Sequence, residues 1–112
     1  MLTPFSAQSP RRSQEPGWDD DLGFHYRELD ALWLARWSAE SGWGAGQLYE
    51  HRGATLELSP AANALHYGQA LFEGLKARRT PAGKIVLFRP ADNARRLRSS
   101  AARLVMEAPP VD

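Results

Sequence analysis

Cysteine is missing from all 112 residues, which excludes a disulfide framework and any thiolate metal site. Histidine is scarce: His25, His51 and His66 are scattered and show no metal-ligand spacing. No apolar run approaches the roughly 18–20 residues that a membrane-spanning helix needs. Net charge is nearly absent too. Fourteen Lys and Arg against 13 Asp and Glu leave +1, so the chain is expected to bind neither nucleic acid nor a membrane. Lysine itself is rare, with only Lys76 and Lys84 among the 14 cations and arginine making up the rest. Anion recognition therefore falls mainly to guanidinium groups, which present a planar fork to phosphate or carboxylate oxygens. A G-x-S-x-G elbow, an H-E-x-x-H pair and a P-loop are all absent. The glycines after Trp43 precede a strand candidate rather than joining a strand to a helix, so they make no dinucleotide fingerprint.

At this length the chain is one small domain, and 43% hydrophobic residues allow a core of moderate size. Residues 1–20 are rich in Pro, Ser, Gln and charge and are expected to form a disordered leader. The first 14 carry Arg, Ser and Pro without an acidic residue, which faintly resembles an organelle transit peptide, but a disordered bacterial leader is the preferred reading. On that reading the expected location is the cytoplasm. Order is expected from residues 22–24.

Residues 28–38 fit two periods. Leu29, Leu32, Trp33, Arg36 and Trp37 fall at helical spacing, whereas Trp33, Ala35 and Trp37 alternate as a strand face does. Propensity favours a helix through Ala and Leu. Strands are expected over 47–51 and 55–58, joined at Arg52-Gly53. A clearer hairpin follows, in which Thr80-Pro81-Ala82-Gly83 joins two extended runs. Residues 90–105 form the last element, a helix with Pro90 in its first turn and a stripe of Ala94, Leu97, Ala101 and Leu104. Antiparallel strands followed by a helix make an α+β fold.

Two clusters could carry chemistry. Arg95, Arg96, Arg98 and Arg103 form either a solvated helix face or an anion site, and Arg96, beside Leu97 on the helical wheel, borders the buried side. The run ALHYGQALFEGLKA over 64–77 sets His66, Tyr67, Glu73 and Lys76 among apolar residues. Its aromatics are either core or a ligand wall. Lys76 becomes a nucleophile only if burial lowers its pKa.

The segment NALHYGQALFEGLKA followed by KIVLFRPADNARRLRSSAAR, with W-S-x-E-x-G-W upstream at 37–43, resembles the amino-terminal region of the branched-chain amino-acid aminotransferases. These are class IV, fold-type IV enzymes that use pyridoxal 5'-phosphate. The resemblance implies that residues 21–112 are the small amino-terminal domain, cut before the domain bearing the Schiff-base lysine. In the family, the Arg eight residues after the Phe of L-F-R-P grips the cofactor phosphate, and that position is Arg96. Family members line the substrate pocket with the residues matching Tyr67 and Phe72. Gly68 and Gly74 would let the backbone pass close to the ligand, and Lys76 would stand at the pocket edge without carrying the cofactor.

Implied substrates are leucine, isoleucine and valine with 2-oxoglutarate, and the implied assembly is a homodimer. This chain has Asp30-Ala31-Leu32 where relatives often show D-H-M, in a segment the family holds extended, which weighs against the helix over 28–38. Neither Lys76 nor Lys84 lies in the context of the cofactor-carrying lysine, so the chain alone is expected to be inactive. Within the superfamily the alternatives are a D-amino-acid aminotransferase and an aminodeoxychorismate lyase. Outside it stands a non-catalytic anion- or partner-binding module.

Overall fold

A computed structural model of the protein describes residues 1–8 and 28–111. Residues 9–20 of the expected leader, and the expected onset of order at 22–24, lie outside the described residues. The chain divides into two compact units, Met1–Leu58 and Ser59–Asp112.

In the first unit, strands β1 (Ala31–Leu34) and β4 (Gln47–Glu50) pair antiparallel, with Leu32 opposite Tyr49 and Trp33 opposite Leu48. The helix that propensity favours over 28–38 is therefore overturned in favour of extended backbone, but Trp33, Ala35 and Trp37 do not share one strand face, since β1 ends at Leu34 and Trp37 lies in a separate ladder. Helix propensity is worth only tenths of a kcal/mol per residue, and strand pairing outweighs it. Strands β2 (Trp37–Ser38) and β3 (Gly42–Trp43) form a second, shorter ladder. The Ser38 and Ser41 hydroxyls hydrogen-bond at 2.7 Å across its turn.

The strand expected over 55–58 does not form. Strand β4 offers two edges, and both are taken. His51 N–H donates to the Asp30 carbonyl on the β1 side. On the other side Glu50 N–H donates to the Thr3 carbonyl, and Phe5 N–H donates to the Leu48 carbonyl. Alternate residues of a strand present their polar groups to opposite edges, so residues 3–5 occupy the edge that a 47–51/55–58 hairpin requires.

The second unit opens with a short helix, α1 (Asn63–His66), that sequence patterning missed. Ser59 initiates it through its carbonyl, which accepts from Ala62 N–H, and its hydroxyl, which accepts from Ala61 N–H. Gly68 follows at φ +62°. The expected hairpin is present as β5 (Ala77–Arg79) and β6 (Ile85–Leu87), with Arg78 opposite Val86. Gly83 N–H donates to the Thr80 carbonyl at 2.8 Å, and Gly83 takes φ +78°. That conformation is open to glycine at no steric cost.

Helix α2 (Pro90–Arg103) closes the unit two residues short of the expected 105. Asp92 in its first turn suits the positive end of the helix dipole and pairs with Arg95 at 2.8 Å. At the other end, Val105 N–H donates to the Ala102 carbonyl and Met106 N–H to that of Ala101, the paired bonds of a Schellman motif. Val105 carries the left-handed turn at φ +53°. Gln69 ties α1 to this helix end: it accepts from the Asn63 amide and donates to the Leu104 carbonyl, both at 2.8 Å.

The expected moderate core is also corrected. Ala101 is the single buried apolar side chain among the described residues. Both faces of the β5–β6 ribbon are exposed, because two strands without a covering layer have nothing to pack against.

Candidate functional site

The second unit holds two bonded carboxylates, Asp92 with Arg89 and Arg95, and Glu73 with Arg96. Glu73 is the only acidic residue between Glu57 and Asp92, in a stretch that carries five cations. It takes the guanidinium of Arg96 as its partner. Arg96 Nε donates to Glu73 Oε2 at 2.7 Å, and Arg96 Nη2 donates to Oε1. Asn93, one helical turn earlier on α2, donates its amide to Glu73 Oε1 at 3.0 Å and to the Gly74 carbonyl. The spacing of three residues places Asn93 and Arg96 on one face of α2, so both reach the same carboxylate.

The Glu73 side chain is only 14% exposed, whereas that of Arg96 is 65% exposed. The Arg96 bonds hold the Glu73 carboxyl below the usual carboxylate range, with smaller help from Asn93 and the Gly74 backbone. Burial opposes them. The same carboxylate raises the Arg96 guanidinium.

This pairing gives stability an acid limb. Because the folded Glu73 pKa lies below its unfolded value, the pair's contribution is complete above the unfolded pKa. It is lost as pH falls through the lowered folded one. Denaturant midpoints followed from about pH 6 to about pH 3 should show this loss, and Glu73→Gln should flatten the corresponding part of the profile. Salt should weaken the effect, since Arg96 is largely solvated. An unchanged profile in the variant would mean that the pair does not form in solution.

The other expected site residues are not gathered into a closed pocket. Tyr67 is 84% and Phe72 is 93% exposed, so neither is core within this chain. The Tyr67 ring makes an edge contact with His66 at 6.5 Å between centroids. Lys76 is exposed beside a groove of about 540 Å³ whose lining also includes Leu75, Val86, Phe88 and Asn93. Gly74 supplies its carbonyl to Asn93, and a Cβ at Gly74 would meet open space within this chain.

Sequence reasoning had set Glu73 among the titratable residues of its segment without giving it a role, and it missed Asn93. A lone acid among five cations, facing an N-x-x-R pair on a helix, is the signal that could have found them. No group of three or more potential metal ligands occurs among the described residues, and no described helix is long and apolar enough to cross a membrane.

Arg96 is thus bonded on one edge by Glu73 and exposed on the other, and the chain is similar in sequence to several aminotransferases. The chain is 44% identical over 93 residues to branched-chain amino acid aminotransferase 2, chloroplastic, of Humulus lupulus, which covers 83% of the chain and 22% of that protein. To the branched-chain-amino-acid aminotransferase of Helicobacter pylori it is 46% identical over 86 residues, 77% of the chain and 24% of that protein. The counterpart from Haemophilus influenzae is 42% identical over 93 residues, 83% of the chain and 26% of that protein. No family model matches. Over most of its own length the chain is similar to branched-chain amino-acid aminotransferases, and it spans about a quarter of the length of the curated relatives it matches.

Proposed function

We propose that this chain is the small amino-terminal domain of a fold-type IV aminotransferase, and that Arg96 is its anchor for the phosphate of pyridoxal 5'-phosphate. The observation that carries the reading is the state of the Arg96 guanidinium. Its Nε and Nη2 are bonded to Glu73, while Nη1 has no partner among the described residues and the side chain is largely exposed. A guanidinium in that state fits a phosphate group: it is always charged and presents a planar pair of donors.

In the parent enzyme the bound cofactor supplies the electron sink for exchanging the amino group of leucine, isoleucine or valine with 2-oxoglutarate. Tyr67 and Phe72, exposed here, would form the apolar wall that accepts branched side chains, with Lys76 at its edge and Gly74 beside it. Such a wall discriminates by about 1–3 kcal/mol per methylene. We further infer that the parent is a cytoplasmic homodimer. The apolar side chains left exposed in this unit, Phe88 at 82% and Ile85 at 58% among them, support its working within a larger protein.

The reading makes two demands on the purified chain. It should bind pyridoxal 5'-phosphate in preference to pyridoxal, which lacks the phosphate, and equal binding of the two would sink the Arg96 assignment. Mixed with the cofactor and leucine, it should give neither the visible absorption of a lysine-bound cofactor nor a keto acid. A turning-over adduct at Lys76 would show that the chain is an enzyme by itself.

A further inference from the structure

The Glu73–Arg96 pair raises a question of sign. A carboxylate bonded to a phosphate-binding arginine is either a rival for the guanidinium, to be displaced when phosphate arrives, or a brace that stays. We propose that Glu73 is a positioning residue: held by Asn93, it locks the Nε/Nη2 edge of Arg96 and leaves the Nη1/Nη2 edge aimed at an anion. This inference rests on the reading of Arg96 as the phosphate anchor.

The donor inventory permits it. A guanidinium carries five N–H groups, and Glu73 engages one on Nε and one on Nη2. Both Nη1 hydrogens and the second Nη2 hydrogen remain. They form the end-on edge, which is a complete bidentate fork in its own right. An incoming phosphate can therefore be gripped without breaking either bond to Glu73.

Displacement is the costlier route. The Glu73 side chain is 14% exposed, and losing Arg96 would leave its partly buried carboxylate with only neutral donors, the Asn93 amide among them. Leaving a partly buried carboxylate without its charged partner carries a desolvation cost that a pair kept intact avoids. Side-chain entropy points the same way. A free arginine samples many rotamers, whereas one braced against a carboxylate has already lost that freedom before the ligand arrives.

The two roles make opposite forecasts, because Glu73→Ala removes a negative charge beside the anion site. If Glu73 were a rival, phosphate would bind more tightly to the variant. As a brace, its loss should weaken binding of inorganic phosphate and of pyridoxal 5'-phosphate by roughly tenfold, the low end of what orienting partners of a ligating group supply. Glu73→Gln, which keeps one acceptor oxygen, should fall between the alanine variant and the parent.

A measurement on the unsubstituted chain is independent of how the variants fold. In ¹⁵N-resolved spectra, the Arg96 Nε–H resonance should keep its carboxylate-bonded position at saturating phosphate while the Nη resonances shift. Movement of Nε–H to the solvent-exposed position, or tighter phosphate binding by Glu73→Ala, would overturn the positioning role. Phosphate affinity unchanged in Arg96→Ala would instead overturn the anchor reading beneath it.

Discussion

Arg96→Ala should erase most of the chain's ability to tell pyridoxal 5'-phosphate from pyridoxal. The phosphate would lose two charge-assisted hydrogen bonds from a guanidinium that Glu73 holds in place. In a partly solvated setting that corresponds to roughly thirtyfold weaker binding. Arg96→Lys is the informative companion. It keeps the positive charge but replaces the planar fork with a flexible point charge that cannot bond Glu73 and phosphate along two separate edges. Its affinity should fall by about tenfold, closer to alanine than a conservative label suggests. Calorimetric titration of each variant with both ligands checks the pair. If Arg96→Ala retained the preference for the phosphorylated ligand, the anchor would have to be sought among Arg95, Arg98 and Arg103.

The largest effect on stability should come from Gly46→Ala in the first unit. Gly46 sits at φ +71°, and a Cβ built there would lie 2.3 Å from Cζ2 of the Trp33 ring. The substitution thus carries two penalties, a left-handed backbone forced on an L-residue and a displaced indole. Together they amount to about 2–3 kcal/mol, or about 10 °C in the unfolding midpoint of a chain this size. Gly53→Ala is the control. Gly53 has nearly the same φ, +67°, but nothing within 4 Å of its Cβ position, so it isolates the backbone term at about 1 kcal/mol. Thermal unfolding of the two variants should differ by the cost of moving Trp33. Equal losses would mean that the ring does not lie over Gly46.

Much of the second unit was legible in sequence because its signals are local. Thr80-Pro81-Ala82-Gly83 specifies a turn through the fixed φ of proline and the permissive φ of glycine. Pro90 with the Ala94, Leu97 and Ala101 stripe specifies a helix and its buried face. The first unit was harder. Residues 28–38 satisfy two periods at once, and only the pairing of Ala31–Leu34 with Gln47–Glu50 decides between them. The strand expected over 55–58 failed for a similar reason, since residues 3–5 hold the edge it needed. Competition for an edge between segments more than forty residues apart leaves no trace in local composition.

By itself, then, the sequence determined the likeness to branched-chain aminotransferases, through blocks of residues in fixed order, and picked out Arg96 as a cation bordering the apolar stripe of its helix. What only the tertiary structure decided is which partner that arginine keeps. Glu73 and Asn93 are twenty residues apart in the chain and belong to different elements. Folding of the loop before β5 against α2 is what brings the carboxylate to the guanidinium. Partial burial then favours the pairing: with 14% of its side chain exposed, Glu73 has limited access to water and is bonded by Arg96 and Asn93.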